Sequence, residues 1–290
     1  MIKLTLRAAL VLAALMCAPL LSGATAQAQP QQQPTPRAPK KKLQASSNFA
    51  QYANRDSSNR LIAGGATRNL ADHYTVGTDL YMEGKYAEAV ESFKKHVAQK
   101  PDSAAGYYSL AASHEALGQN AEAAAAYRKA AQLRPAPALS ARTHYNLGNV
   151  LAAEKKYDEA IAAYRKVAEL APKEHVVYYN IGLAQAASGK QPEAIASFKE
   201  SLALKPDFAD AHYNLGLAYW AAEKWDDSIA SFKEAVRLRP DYAEAHYNLG
   251  LAHLAFEEAE PLEAEIKELE KLKPALAAKL RELSKAEVAQ

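Results

Sequence analysis

ADAHYNLGLAYWAAEKWDDSIASFKEAVRLRP, residues 209–240, decides the fold. It reads as two amphipathic helices joined by a tight turn. The same pattern starts 34 residues earlier at His175, again at Ala141, Ala104 and Leu70, and once downstream at Ala243. Self-similarity at a fixed period of this length predicts a solenoid. Each unit then buries its apolar face against its neighbours, and there is no single central core.

Each predicted helix has about 14 residues and is roughly 21 Å long. A helix that short is marginal alone in water, so packing must hold it. Counted from the start of each unit, position 8 is Gly77, Ala111, Gly148, Gly182, Gly216 and Gly250. Position 20 is Ala89, Ala123, Ala160, Ala194 and Ser228, and position 24 is Phe93, Tyr127, Tyr164, Phe198 and Phe232. A mid-helix glycine costs about 1 kcal/mol against alanine. Its return at one position predicts close approach of a neighbouring helix, with a large ring beside small residues. Pro101, Pro172, Pro206, Pro240 and Pro274 fall at the unit ends. Asp102, Asp207 and Asp241 follow three of these prolines and are expected to cap the next helix, as Asn69 caps the first. Pro192 and Pro261 stand where second helices begin, a place where a missing N–H does no harm. Pro135 to Ser140 adds three residues, read as a longer turn with Ser140 as the cap.

The units are therefore 70–103, 104–140, 141–174, 175–208, 209–242 and 243–274. The last is divergent, because Leu262 and Ile266 replace the small residue and the ring, and its second helix is the one in doubt. Residues 275–290 follow as a capping helix and tail, with Lys279, Glu282 and Lys285 suited to a solvated outer face.

Period, two-helix layout, and the residues at positions 8, 20, 24 and 32 together resemble the tetratricopeptide repeat across 70–274. The resemblance implies an all-α, right-handed superhelical solenoid of antiparallel helix pairs. It also implies a concave groove, lined by the first helices, that takes extended peptides or partner segments. Positions 4, 7, 8 and 11 of each first helix are read as packed, and 2, 5, 6, 9, 12 and 13 as the groove face. Position 5 is tyrosine in every unit: Tyr74, Tyr108, Tyr145, Tyr179, Tyr213 and Tyr247. Position 6 is Thr75, Ser109, then Asn146, Asn180, Asn214 and Asn248. An asparagine amide offers an acceptor and a donor pair, the complement of a backbone amide. Rungs about 10 Å apart would meet an extended chain at every third residue or so. The pattern is similar to the asparagine ladder of O-linked N-acetylglucosamine transferases. Two uses stay open for these amides, contact with a ligand and bracing of the neighbouring helix. The tyrosines are read as partly packed, adding contact area at small entropic cost.

The candidate groove residues are thus Tyr145, Asn146, Asn149, Tyr179, Asn180, Leu183, Tyr213, Asn214, Leu217, Trp220, Tyr247 and Asn248. Leu183, Leu217, Trp220 and Leu251 make the later groove apolar enough for an amphipathic helix. A clamp for a C-terminal carboxylate is not supported, since its basic places hold Tyr145, Asp210 and Asn214.

Nothing points to catalysis. Of the eight histidines, His73, His144, His212 and His246 share position 4 of separate units. Neighbouring units stand about 10 Å apart, too far for ligands that sit about 2 Å from one zinc ion. No phosphate loop, dinucleotide fingerprint or nucleophile elbow occurs. The acidic residues mostly pair with lysines at helical spacing. The expectation is a non-enzymatic binding protein without cofactor or metal. A formal net charge of +2 gives no reason to expect nucleic acid.

At the N-terminus, Lys3 and Arg7 precede an apolar run from Ala8 to Leu21 that is broken by Pro19. Small-x-small sites follow at Ala24-Thr25-Ala26 and Ala26-Gln27-Ala28. Residues 1–26 therefore read as a secretory signal peptide, cleaved after 26 or 28. The one cysteine, Cys17, lies inside it, with Met16 where a lipidation motif wants a small residue. Residues 27–68, rich in Pro, Gln and Lys, read as a disordered linker. The expected product is an exported, periplasmic scaffold that binds a protein or peptide partner, with no membrane insertion after cleavage. The alternatives are an outer-membrane lipoprotein or secreted form, an accessory factor of a pilus or secretion machine, and a module that presents peptides to a partner enzyme. Self-association is left open.

Overall fold

The computed structural model describes residues 72–288. The signal segment, Cys17, the linker and Asn69 lie outside the described residues. The described chain is helical, and no strand occurs in it. It forms two compact units that part between Glu154 and Lys155. The first holds α1 (His73–Met82), α2 (Tyr86–Gln99), α3 (Ala104–Ala116), α4 (Asn120–Gln132) and α5 (Pro137–Ala153). The second holds α6 (Tyr157–Leu170), α7 (His175–Ala187), α8 (Gln191–Leu204), α9 (Ala209–Ala221), α10 (Trp225–Leu238), α11 (Ala243–Ala255), α12 (Ala259–Leu272) and α13 (Pro274–Val288). Inside each unit every helix packs on the next, and first helices also touch first helices, α1 on α3, α3 on α5 and α7 on α9. This is the all-α stack of helix pairs that the repeat predicts.

The recurring glycine has the expected cause. A methyl group built on Gly77 would stand 2.8 Å from the Phe93 ring, and one on Gly182 or Gly216 would stand 2.7 Å from the ring of Phe198 or Phe232. Real side chains do not tolerate such distances, so only a bare α-carbon lets the ring lie flat on the helix. Phe93, Phe198 and Phe232 are wholly buried as a result. In the sixth repeat position 24 is Ile266, and Gly250 is covered instead by Leu280, reaching across from α13. The divergent second helix, α12, therefore forms all the same, with Leu262, Ile266 and Leu269 buried. The capping helix supplies the missing bulk.

The helix starts differ from expectation. Asp102, Asp207 and Asp241 do not cap. The residue before α3 is Ser103, whose hydroxyl accepts from the Gly106 N–H, and those before α9 and α11 are Phe208 and Tyr242, with no side-chain cap. The aspartates are taken up in the turn after the proline, one residue too early. The cap of α1 is Asp72, accepting from Tyr74 N–H. Residues 137–140 are helix rather than turn, because Pro137 sits at the first position of α5, where its fixed φ favours helix. Between the two helices of a pair, position 15 is left-handed in each repeat: Gly84, Gly118 and Gly189, but also Lys155, Glu223 and Glu257.

The first and last described helices differ from the rest in ways that the period alone hides. Positions 3 and 10 of first helices are uncharged and buried in every later repeat, as in Thr143, Val150, Ala211, Ala218, Ala245 and Ala252. In α1 they are Asp72 and Asp79, both exposed. At the other end, Ala277 and Leu280 of α13 are buried while Lys279, Glu282 and Lys285 are exposed, as a cap requires.

Leu280→Ala should cost about 2–4 kcal/mol, since it opens a cavity over Gly250. Hydrogen exchange should quicken through α11, α12 and α13 and leave α7 and α8 unchanged. Exchange that stays uniform along the chain would show that the cap is not part of the sixth repeat.

Candidate functional site

The candidate residues lie on the first helices α5, α7, α9 and α11, and the packing of position 5 governs how they can act. The tyrosine at position 5 does not lie open on the groove. Tyr108, Tyr179 and Tyr247 are buried and Tyr145 and Tyr213 half-buried. Four of the rings lean on the position-24 ring of their own repeat, with centroids 5.7 Å apart for Tyr74–Phe93, 5.6 Å for Tyr108–Tyr127, 5.8 Å for Tyr179–Phe198 and 5.9 Å for Tyr213–Phe232. In the second unit a further ring, at the turn into the next repeat, stacks from the other side, Phe208 on Tyr179 and Tyr242 on Tyr213, each at 4.9 Å. Position 5 therefore belongs to the packed side, because large rings on both flanks offer it more buried contact than the groove would.

The asparagines explain where the hydroxyls of those rings go. Asn146 Nδ2 donates to Tyr108 Oη at 3.1 Å, Asn214 Nδ2 to Tyr179 Oη at 3.0 Å, and Asn248 Nδ2 to Tyr213 Oη at 2.9 Å. Each amide thus ties its own repeat to the one before. The orientation of the Asn146 amide is fixed by proton count. Its Nδ2 also lies 3.1 Å from Tyr127 Oη, and Tyr127 gives its single proton to Glu115 at 2.7 Å. Asn146 must therefore donate there. Burial holds these phenols protonated, pushing Tyr213 up to about 12.

The two uses left open by the sequence fall on opposite ends of the same amide. The nitrogen of Asn214 is fully engaged, with Tyr179 Oη and with the Asp210 carbonyl at 2.8 Å. Its Oδ1, like that of Asn146, has no protein partner among the described residues. Donors face inward and acceptors stay available. Asn180 is buried. Asn248 lies at the covered end, and its Oδ1, the Tyr247 hydroxyl and the Trp220 indole N–H are buried without partners. Trp220, expected on the groove, is 3% exposed and packs with Trp225, Tyr247 and Leu251 in the C-terminal core. Its width reaches the cap cluster, which removes it from an open surface. Asn149, Leu183 and Leu217 are half-buried.

Electrostatics around the second unit's first helices is set by pairing. Arg239 makes a two-pronged bridge to Asp210, both contacts at 2.9 Å, with its guanidinium 4.5 Å from the centre of the Tyr242 ring. His246, at position 4 of α11, is buried between two acceptors. Its Nδ1 is 2.6 Å from Glu265 Oε2 and its Nε2 is 2.9 Å from the Pro240 carbonyl oxygen. A neutral imidazole has one N–H and satisfies one of them; the imidazolium satisfies both. The Glu265 hydrogen bond, foremost, raises the His246 pKa against the opposing effect of burial. Histidines at this position serve as local ties, as His212 does with the Pro206 carbonyl at 2.9 Å. Among the described residues no group of three or more His, Cys, Asp or Glu is placed to hold a metal ion. No described helix is long and apolar enough to cross a membrane.

Known proteins place the chain clearly. Family profiles described as tetratricopeptide repeat match residues 74–138 and 141–174, and one described as TPR repeat matches 186–223 and 221–255. Among curated proteins none matches significantly. Among solved structures, MamA is 24% identical, with a TM-score of 0.54, over 58% of this chain and 97% of its own. YrrB is 20% identical, with a TM-score of 0.55, over 67% and 99%. The C-terminal part of a TPR repeat-containing protein from Cytophaga hutchinsonii is 20% identical, with a TM-score of 0.61, over 69% and 78%. At these identities the likeness is one of fold.

Two outcomes follow for this site. Tyr179→Phe and Asn214→Ala should each lower stability by about 1 kcal/mol, and the double variant by less than their sum; strict additivity in urea unfolding would deny the bond between repeats. His246 holds its proton more tightly folded than unfolded. Its contribution is therefore complete below its ordinary value of 6.5 and is lost as pH rises through the higher folded value. Melting temperature should fall across that window, and Glu265→Gln should flatten the fall. An unchanged profile in Glu265→Gln would remove the pair from the account.

Proposed function

We propose that this chain, tetratricopeptide-repeat by sequence profile and by fold, is a non-catalytic interaction scaffold that binds a segment of a protein partner along the open face of its first helices. The observation that carries this reading is the division of the asparagine amides. Their nitrogens brace neighbouring repeats, and an unpartnered Oδ1, that of Asn146 in the first unit and separately that of Asn214 in the second, is an acceptor for a backbone N–H of an extended segment. Leu183 and Leu217, half-buried at position 9 of successive repeats, add apolar contact in the second unit, on α7 and on α9 with Asn214. Such a site grips main chain and reads sequence weakly. The fold supports a peptide site, and one protein sharing it, YrrB, is described as a TPR protein with an unusual peptide-binding site. In this reading the signal-like first 26 residues support export, with the periplasm as the destination.

The test is binding with the scaffold intact. Leu183→Asp with Leu217→Asp should weaken capture of peptides selected from a random library by at least about tenfold, because a charge is set against the desolvated segment. The circular dichroism spectrum should not change. Equal binding by the double variant would move the site off these helices.

A further inference from the structure

Position 12 of the first helices lies one turn on from position 8, at the border between the packed side and the groove. In the unit spanning 72–154 it is Tyr81, Glu115 and Ala152, whereas the later repeats have Ala186, Trp220 and Leu254. Glu115 stands out. It is half-buried, one oxygen accepts the Tyr127 hydroxyl proton at 2.7 Å, and no lysine, arginine or histidine among the described residues pairs with it. A carboxylate in such a place ordinarily finds a cation, because leaving a desolvated charge unpaired is costly. Burial raises its pKa, and the Tyr127 hydrogen bond only partly offsets this. The carboxylate lies within electrostatic reach of Tyr81, Tyr108 and Tyr127, raising the pKa of each phenol.

The surroundings point to the chemistry of the missing partner. Glu115 stands among the phenol rings of Tyr81, Tyr108 and Tyr127. A side chain ending in a positive charge fits this place, its tip at Glu115 with the Tyr81 ring nearby. We propose that Glu115 receives a lysine or arginine side chain of the bound partner segment, and so gives the first unit a charge preference that its main-chain contacts lack. This rests on the groove reading above and adds to it one residue of sequence specificity.

Glu115→Gln is the discriminating variant, since its amide carbonyl still accepts from Tyr127 and the fold is retained. The full chain and the variant are panned with a random dodecapeptide library. A selected peptide is then compared with its copy in which the basic residue is norleucine. The wild type should enrich one basic position, and norleucine should weaken binding by about tenfold. On Glu115→Gln the basic and norleucine peptides should bind alike. If norleucine costs the same on both proteins, or no basic position is selected, the cation site is wrong while the groove stands. If no peptide binds the wild type, the groove reading fails and the cation site fails with it.

Discussion

A ring edge lying against a bare α-carbon is the contact on which this structure depends. Gly77, Gly182 and Gly216 let Phe93, Phe198 and Phe232 come closer than any side chain would allow. That closeness fixes the spacing of the two helices in a pair. The helices are 10 to 17 residues long, and few would persist alone. Once the pair is set, the ring's other face becomes the seat for tyrosine at position 5, and the tyrosine hydroxyl becomes the acceptor for the next repeat. The hydrogen bond between repeats is thus downstream of a packing event within one repeat.

The sequence made the architecture legible because a period of 34 residues repeats the same physical demands many times. Small residues at position 8 and rings at position 24 announce a contact, and the structure has it where predicted. The caps were misread for a local reason. An aspartate after proline suits a helix start in general, but here the turn uses one residue more, and Ser103, Phe208 or Tyr242 precedes the helix instead. Nothing in the spacing of Pro and Asp distinguishes these. Residue 137 shows the same limit, since a three-residue insertion reads equally as turn or as an added helical turn until its prolines are placed.

The site was legible only in part. The Tyr-Asn recurrence marked the helices that bond one repeat to the next, but the alphabet of residue types does not say which end of an amide is engaged. That needed the partner at Tyr179 or Tyr213, about one full repeat away in the chain. Trp220 was misplaced because its position alone assigns it to the open face, whereas its size carries it into the cluster with Trp225 and Leu251. Glu115 escaped notice because it breaks no pattern in the sequence. Its interest lies in a cation that does not pair with it, and pairing is a property of three dimensions.

Position 15 carries a different kind of consequence. Gly84, Gly118 and Gly189 turn left-handed at no steric cost, but Lys155, Glu223 and Glu257 hold the same backbone with a full side chain, at roughly 1–2 kcal/mol each. The first two repeats have glycine in this turn, and two of the last three do not. Equal geometry is therefore held at unequal local stability. The turns of the third, fifth and sixth repeats are therefore where thermal opening, and any wear by proteases, would begin.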